Sequence, residues 1–338
     1  MNENSRLSIV IVAYYNAHLL EQCLASVYKF ITNFPFEIII ASNGFADAEK
    51  NELLVKYTDV QWLDMSYNAG FARANNAGLR VAKGDIFLLL NPDTIAIDNS
   101  IAQCAERLHN AKYVAAGVQL LDESGATQIS GSHFVKGGLN HLLPIPYWGD
   151  FIRWAGYRMK VKVPGVQQAG RVEEVDWISG AFLMVKRSAV EKAGLMDEDF
   201  FLYGEEVEWC SRLKKQGDLV LFGDLRIIHL EGATINRSQN IEEKGYYNLY
   251  DKKGLQLMVS NHLRVRKQYG VGWFLVLLLN YTFGVFVFGF AGTIHYIFTC
   301  RNPFPCWKMV AAFGKNVISL WKLTPTILRN KPHFYKMF

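Results

Sequence analysis

The sequence predicts an α/β fold built on a mostly parallel central sheet, and three observations predict it. Short apolar runs alternate with amphipathic ones, the links between them are short, and polar clusters follow the apolar runs. Strand, helix, strand, helix with short links implies right-handed crossovers, which give parallel strands with helices over the sheet.

Leu7–Ala13 (LSIVIVA) is a continuous β-branched run, the composition of a strand covered on both faces. Leu19, Leu20, Cys23, Leu24 and Val27 then recur at helical spacing. Residues 36–41, 60–63, 85–90 and 114–118 read as further strands, with helices near 46–57, 71–82 and 98–109 between them. Between 120 and 175 the period loosens, and 133–170, rich in Gly, Pro and aromatics, reads as a long excursion over one face. Regularity returns at 175–185, in a helix at 188–193 and in an acidic helix near 204–216.

The net charge of +5 conceals a split. Residues 1–244 carry 24 Lys+Arg against 30 Asp+Glu, whereas 245–338 carry 12 basic residues and the single acid Asp251. A tail with a balance of +11 is expected to meet something anionic, nucleic acid or a membrane. The composition decides against nucleic acid: residues 273–300, a run of 28, contain no charge apart from His295. As a helix that run is roughly 42 Å long, against a hydrocarbon thickness of about 30 Å. Arg264, Arg266 and Lys267 precede it and Arg301 follows; beyond lie Trp307, Lys308, Lys315, Trp321 and Lys322, an interfacial mixture. A tilted span, a re-entrant hairpin and a buried core helix all satisfy the pattern. The expected division is 1–244 for chemistry and 245–338 for membrane-associated helices. Residues 1–6 are polar and unlike a signal peptide. The five scattered cysteines, Cys23, Cys104, Cys210, Cys300 and Cys306, read as reduced thiols.

Ligands of such sheets lie at the carboxyl ends of the strands, so the polar clusters there are the candidates. Ala13-Tyr14-Tyr15-Asn16 follows the first strand and Ser42-Asn43-Gly44 the second; alone, both are ordinary turn residues. No G-x-G-x-x-G or P-loop motif occurs, which argues against a dinucleotide oxidoreductase and a P-loop kinase. Asn68 to Gly78 (NAGFARANNAG) brings small residues and amides to a helix start, where backbone can approach a ligand and Arg73 can meet a phosphate. In 88–93 (LLLNPD) a buried strand ends in Asp93, a candidate oxygen ligand for a divalent cation, or simply a turn residue. In the acidic helix Glu208 and Arg212 are spaced for an ion pair. Glu206 shares its stripe with Cys210 and Leu213, at the exposed end of an apolar face, where partial desolvation suits a general base. His229 follows a short apolar run, as a structural histidine or a metal ligand.

Taken in order, these clusters resemble the family 2 glycosyltransferases, most closely the rhamnosyltransferase-like branch that builds bacterial surface polysaccharides. The resemblance runs from Leu7 to position 234 and implies the nucleotide-diphospho-sugar transferase fold known as GT-A. It places Asn91-Pro92-Asp93 at the metal-binding D-x-D position, Glu205-Glu206 at a catalytic acidic pair whose second member is the general base, and His229 at a late metal or pyrophosphate histidine. The donor-binding set it implies is Ala13, Tyr15, Asn43, Asn68, Gly70, Arg73, Asn76 and Asn91. Three departures stand out: Ser42 replaces an Asp that contacts the nucleobase, Asn91 the first Asp of D-x-D, and Glu206 the usual Asp base. The Q-x-x-R-W element of processive synthases is absent, which favours addition of one sugar. The resemblance thus implies inverting transfer, assisted by Mg²⁺ or Mn²⁺, from a nucleotide-diphosphate sugar, with dTDP-rhamnose a candidate. The acceptor it implies is a glycan or lipid-linked molecule at the cytoplasmic face of the cell membrane, with no nucleic acid partner. A nucleotidyltransferase and a non-catalytic nucleotide-sugar-binding scaffold are the competing readings.

Overall fold

The computed structural model describes residues 6–133, 142–159, 165–230 and 249–338. The boundary expected at 244/245 lies outside these. The described residues fall into two compact units, 6–133, 165–197 and 206–230 in the first, and 142–159, 198–205 and 249–338 in the second.

In chain order the first unit contains β1 (Leu7–Ala13), α1 (Ala17–Phe30), β2 (Phe36–Ser42), α2 (Asp47–Lys56), β3 (Gln61–Asp64), α3 (Gly70–Val81), β4 (Ile86–Leu90), β5 (Thr94–Ala96), α4 (Ser100–Asn110), β6 (Ala115–Leu121) and β7 (Gly131–Ser132). After α5 (Trp148–Arg158), which belongs to the second unit, it resumes with β8 (Gly165–Val166), β9 (Glu173–Val175), β10 (Trp177–Ile178), β11 (Phe182–Lys186) and α6 (Arg187–Ala193). Helix α7 (Glu205–Leu213) and strand β12 (Leu219–His229) complete it, all of α7 except its first residue belonging here.

The central sheet runs β3-β2-β1-β4-β11-β6-β12-β5, with β9 also on β12. It is parallel across β3-β2-β1-β4 and between β6 and β12; β11 is inserted antiparallel between β4 and β6. The pleat sorts the side chains into two layers. Leu7, Ile9 and Ile11 point to one core with Leu20, Cys23 and Leu24 of α1, while Val10 and Leu89 point to the other with Leu79 of α3 and Trp209 of α7. The stretch 175–185 is not one strand: it holds the end of β9, all of β10 and most of β11, with breaks at Asp176 and at Ser179 to Ala181.

The second unit is helical. It holds α5, α8 (Lys252–Phe298) and α9 (Phe304–Arg329), around a core that includes Phe200, Met258, Phe274, Tyr281, Phe313 and Tyr335. Helix α8 is broken at Gly270, whose φ of 88° lies in the left-handed region that favours glycine. Helices α8 and α9 pack antiparallel: Trp307 Nε1 donates to Thr293 Oγ1 at 2.9 Å and Trp321 Nε1 to Thr282 Oγ1 at 3.0 Å. At the other end Lys267 pairs with Asp199 at 2.6 Å, and the buried Gln256 donates to the Tyr335 carbonyl at 3.0 Å. Among the described residues α8 alone is long and apolar enough to cross a membrane, with a mean hydropathy of 2.1 over its most apolar window.

Candidate active site

Strand register gathers the polar clusters at one edge of the sheet. Ala13 pairs with Ser42, and two residues earlier Ile11 pairs with both Ile40 and Leu90, so the segments after β1, β2 and β4 emerge together. The Asn43 backbone N–H donates to the Ala13 carbonyl at 2.8 Å. Its side chain is committed to backbone: Nδ2 donates to the Gly70 carbonyl at 2.9 Å and Oδ1 accepts from Ala69 N–H at 3.1 Å. Asn68 Oδ1 accepts from Gly70 N–H at 3.1 Å. These amides fasten the first turn of α3 to the strand ends. Asn76 is fully buried and clamps both backbone groups of Met196, 2.9 Å from its carbonyl and 3.0 Å from its N–H. Its side chain serves architecture as placed.

Tyr15 and Arg73 are differently situated. Tyr15 has a φ of 45° and is 64% exposed, and its ring edge lies 3.6 Å from where a Cβ on Gly44 would be. An exposed aromatic beside the strand ends offers a stacking face. Arg73 reaches Tyr67 Oη at 3.4 Å. The Ser42 hydroxyl is buried with no hydrogen-bond partner among the described residues.

Asp93 lies between β4 and β5, and β5 pairs antiparallel with the end of β12, placing Thr94 opposite His229. Leu230 N–H donates to the Asp93 carbonyl at 2.9 Å, which closes this corner. The two side chains meet in the interior: His229 Nε2 is 3.5 Å from Asp93 Oδ1, and Oδ1 has no hydrogen-bond partner among the described residues. Burial pushes the Asp93 carboxyl above its ordinary range, an effect that His229 partly offsets.

Gln128, which carries no motif, determines which lone pairs face each other. Its Nε2 donates to the His229 carbonyl at 3.0 Å, and this fixes the amide so that Oε1 faces His229 Nδ1 at 3.0 Å. A carbonyl oxygen only accepts, so Nδ1 carries a proton, and in the neutral imidazole Nε2 turns a lone pair toward Asp93. In that form a carboxylate oxygen and an imidazole nitrogen 3.5 Å apart suit a shared divalent cation. Among the described residues no third acidic, His or Cys side chain joins the pair.

Glu206 approaches the same edge from α7. A Cβ on Gly180 would lie 3.6 Å from Glu206 Cγ and 3.3 Å from Phe71 Cζ. Asn91 N–H donates to the Ala181 carbonyl at 3.0 Å, so Glu206 and Asn91 flank the same turn, Gly180-Ala181. Glu205 opens α7 in the second unit and is 3% exposed. Cys210 and Leu213, on the Glu206 stripe, are fully buried as the spacing predicts.

The Glu208–Arg212 ion pair that the spacing predicts forms, and it is largely buried. Glu208 is buried, and Arg212 grips it twice, Nε to Oε1 at 2.8 Å and Nη2 to Oε2 at 2.7 Å, while Nη1 donates to the Ala193 carbonyl at 2.7 Å. Removing one charge of a largely buried, bidentate pair costs more than an exposed pair contributes. Glu208→Gln is therefore expected to lower stability by about 1–3 kcal/mol in urea unfolding rather than the few tenths expected of an exposed helix pair.

The sequence matches the model of the family described as Glycosyl transferase family 2 over residues 8–161. It is similar to an N-acetylglucosaminyl-diphospho-decaprenol L-rhamnosyltransferase of Mycobacterium tuberculosis, 29% identical over 234 residues that cover 64% of this chain and 73% of that protein. It is 27% identical over 282 residues to a dTDP-rhamnosyl transferase of Shigella flexneri, covering 77% of this chain and 82% of that one. Among solved structures, the mannosyltransferase PcManGT of Pyrobaculum calidifontis, in complex with GDP-Man and Mn²⁺, gives a TM-score of 0.53 at 14% identity and covers 95% of this chain and 88% of that one. That likeness is one of fold, the GT-A arrangement of a mixed, mostly parallel sheet. Fold, family model and relatives converge: the chain is a glycosyltransferase, similar to the rhamnosyltransferase-like members of family 2.

Proposed function

We propose that the chain transfers a single sugar, with inversion, from dTDP-rhamnose or a similar nucleotide-diphosphate sugar to a lipid-linked glycan acceptor during cell-surface polysaccharide synthesis. The observation that carries this reading is the buried Asp93–His229 pair, 3.5 Å apart at the sheet edge that Glu206 also approaches. The names of the relatives in Mycobacterium tuberculosis and Shigella flexneri support the donor and the lipid-linked acceptor. Residues 1–244 carry the chemistry, and 245–338 hold the protein at the cytoplasmic face of the cell membrane.

Asp93 and His229 would hold a Mg²⁺ or Mn²⁺ ion, which when bound supplies positive charge to the diphosphate leaving group. Asn68 and Gly70 position backbone at the start of α3 for the donor, with Arg73 beside it; Ala13 and Tyr15 frame the nucleoside, and Asn43, Asn76 and Asn91 hold the loops that shape the pocket. Glu206 accepts the proton of the acceptor hydroxyl while that oxygen bonds to C1 of the sugar. The bond from C1 to the diphosphate oxygen breaks on the opposite face, and the nucleoside diphosphate departs with the electron pair. Glu205, one residue earlier, orients rather than accepts.

The test is transfer from a panel of nucleotide sugars to a polyprenyl-diphosphate-linked N-acetylhexosamine, followed by chromatography of the lipid product. Rhamnosyl transfer that stops on chelation is the expected result. Nucleotide exchange without sugar transfer would point to a nucleotidyltransferase, and donor binding with no turnover to a scaffold.

Gln128 supplies an internal check. Gln128→Leu should weaken Mn²⁺ binding about 10–100-fold, as loss of a partner that orients a ligand does. Gln128→Glu, which keeps an acceptor for Nδ1–H, should recover part of that loss. Titration of Mn²⁺ by electron paramagnetic resonance in the presence of dTDP reads both variants without reference to turnover.

A further inference from the structure

The exposed surface of the second unit carries two parallel features along its helical hairpin. On α8 the residues Val276, Leu279, Phe283, Phe286, Phe290 and Ile294 recur every three or four positions, one unbroken helix face, and all are exposed, Phe286 by 70% and Phe290 by 73%. On α9 Lys308, Lys315, Lys322 and Arg329 stand seven residues apart and are all exposed. Seven residues make nearly two turns, so the four charges form one row about 31 Å long. Trp307 and Trp321, which donate to Thr293 and Thr282 of α8, lie between the apolar face and the basic row.

These features disfavour an upright crossing. Because α8 and α9 are antiparallel and in contact, the three lysines lie level with part of the uncharged run, while Arg329 lies beyond it, next to Leu328, whose carbonyl accepts from Arg266. Lys308 is level with Thr293, Lys322 with Thr282, and Lys315 with Val285, since a Cβ on Gly314 would be 3.5 Å from Val285 Cγ1. Were α8 to span the bilayer, Lys315 would stand near its centre. A lysine there is disfavoured, and its stem does not cover the roughly 15 Å to the headgroups. Laid flat, the same hairpin keeps every lysine at headgroup level and every apolar residue of the α8 face in the acyl layer.

Helix α5 extends the apolar surface on the far side of α8. Trp148 Nε1 donates to Asn280 Oδ1 at 3.2 Å and its ring meets Phe283 edge-on, while Phe151 and Trp154, both more than half exposed, stack in sequence beyond it. A second copy of the chain is a poor occupant for this surface, since it would bring one basic row toward another.

We infer that the α8–α9 hairpin and the aromatic edge of α5 form a monotopic platform that lies within one leaflet of an anionic bilayer, with the Lys308–Arg329 row on the headgroups. The inference rests on the membrane attachment proposed above and specifies its geometry. Cys300, at the end of the uncharged run, is exposed while the other four cysteines are buried, so it reports the geometry directly. Full-length protein is added to sealed phosphatidylcholine vesicles, with and without phosphatidylglycerol, then floated and treated with a membrane-impermeant maleimide. The expected result is binding that favours phosphatidylglycerol, with Cys300 labelled from outside. Lys315→Gln combined with Lys322→Gln should weaken that binding roughly 10–30-fold, and Phe286→Glu should abolish it. If the protein binds but Cys300 is labelled only after detergent opens the vesicles, the helix crosses and the platform is wrong, although attachment stands. Equal binding to neutral vesicles, unmoved by the lysine changes, would also overturn the platform. Failure to bind either vesicle removes membrane attachment itself. Concentration-dependent dimers that Phe286→Glu dissociates would assign the face to a second copy instead.

Discussion

Glu206→Gln is expected to lower the rate of sugar transfer by about 10²–10⁴, equivalent to roughly 3–5 kcal/mol of transition-state stabilisation, while leaving donor affinity nearly unchanged. The amide keeps the size of the side chain beside Gly180 and Phe71, so the packing there is preserved. It cannot take up the acceptor proton. Single-turnover transfer measured beside donor titration separates the two effects. Glu205→Gln is the control, because Glu205 is 3% exposed and opens the helix. If Glu205→Gln is inactive while Glu206→Gln still transfers sugar, the base is the other residue of the pair.

Asp93→Asn is expected to have the second large effect, of opposite sign on stability and on activity. The carboxyl is buried and Oδ1 has no hydrogen-bond partner among the described residues, so its ionised form is disfavoured in the interior. Its raised pKa means that the stability it contributes is present at low pH and lost as pH rises through the folded value. Replacing it with an amide removes that loss, so at neutral pH the metal-free variant should melt no lower than the wild type. The same change should abolish stabilisation by Mn²⁺ with dTDP, and lower transfer on the order of 10³-fold. Thermal melts with and without Mn²⁺ and chelator decide the point. A wild-type response to Mn²⁺ in Asp93→Asn would place the cation elsewhere.

Much of this was legible in the sequence. The strands from β1 to β4 are near-continuous apolar runs, and burial on both sheet faces leaves little else they could be. The antiparallel insertion of β11 was not legible, because direction depends on which edge a returning chain finds, and a five-residue run such as FLMVK reads alike either way. Strand β5, only three residues, has no period to detect. Helix α5 was hidden because its apolar positions are aromatics interspersed with Gly149, Asp150 and Gly156, which read as a loop. Of the candidate site, Asp93 and Glu206 could be picked out by position, but the meeting of Asp93 with His229 came only from resemblance. Gln128 gave no signal, since its partner is 101 residues away and an amide in a polar hairpin is unremarked by any pattern. Asn43 and Asn76 look like ligand-binding amides in sequence, yet their side chains brace the backbone, a distinction that only coordinates draw.

The glycine at 270 has a mechanical consequence. A 47-residue helix without interruption would be a rod about 70 Å long, and a rod is a lever. Any tilt imposed on its apolar half by a changing bilayer would be delivered in full to the half that carries Gln256 and Lys267, with their hold on Tyr335 and Asp199. A single residue with φ of 88° and open space around its α-carbon divides that lever into two arms. On the inferred platform, undulations of the lipid would then work against one joint instead of against the packing that secures the C-terminus.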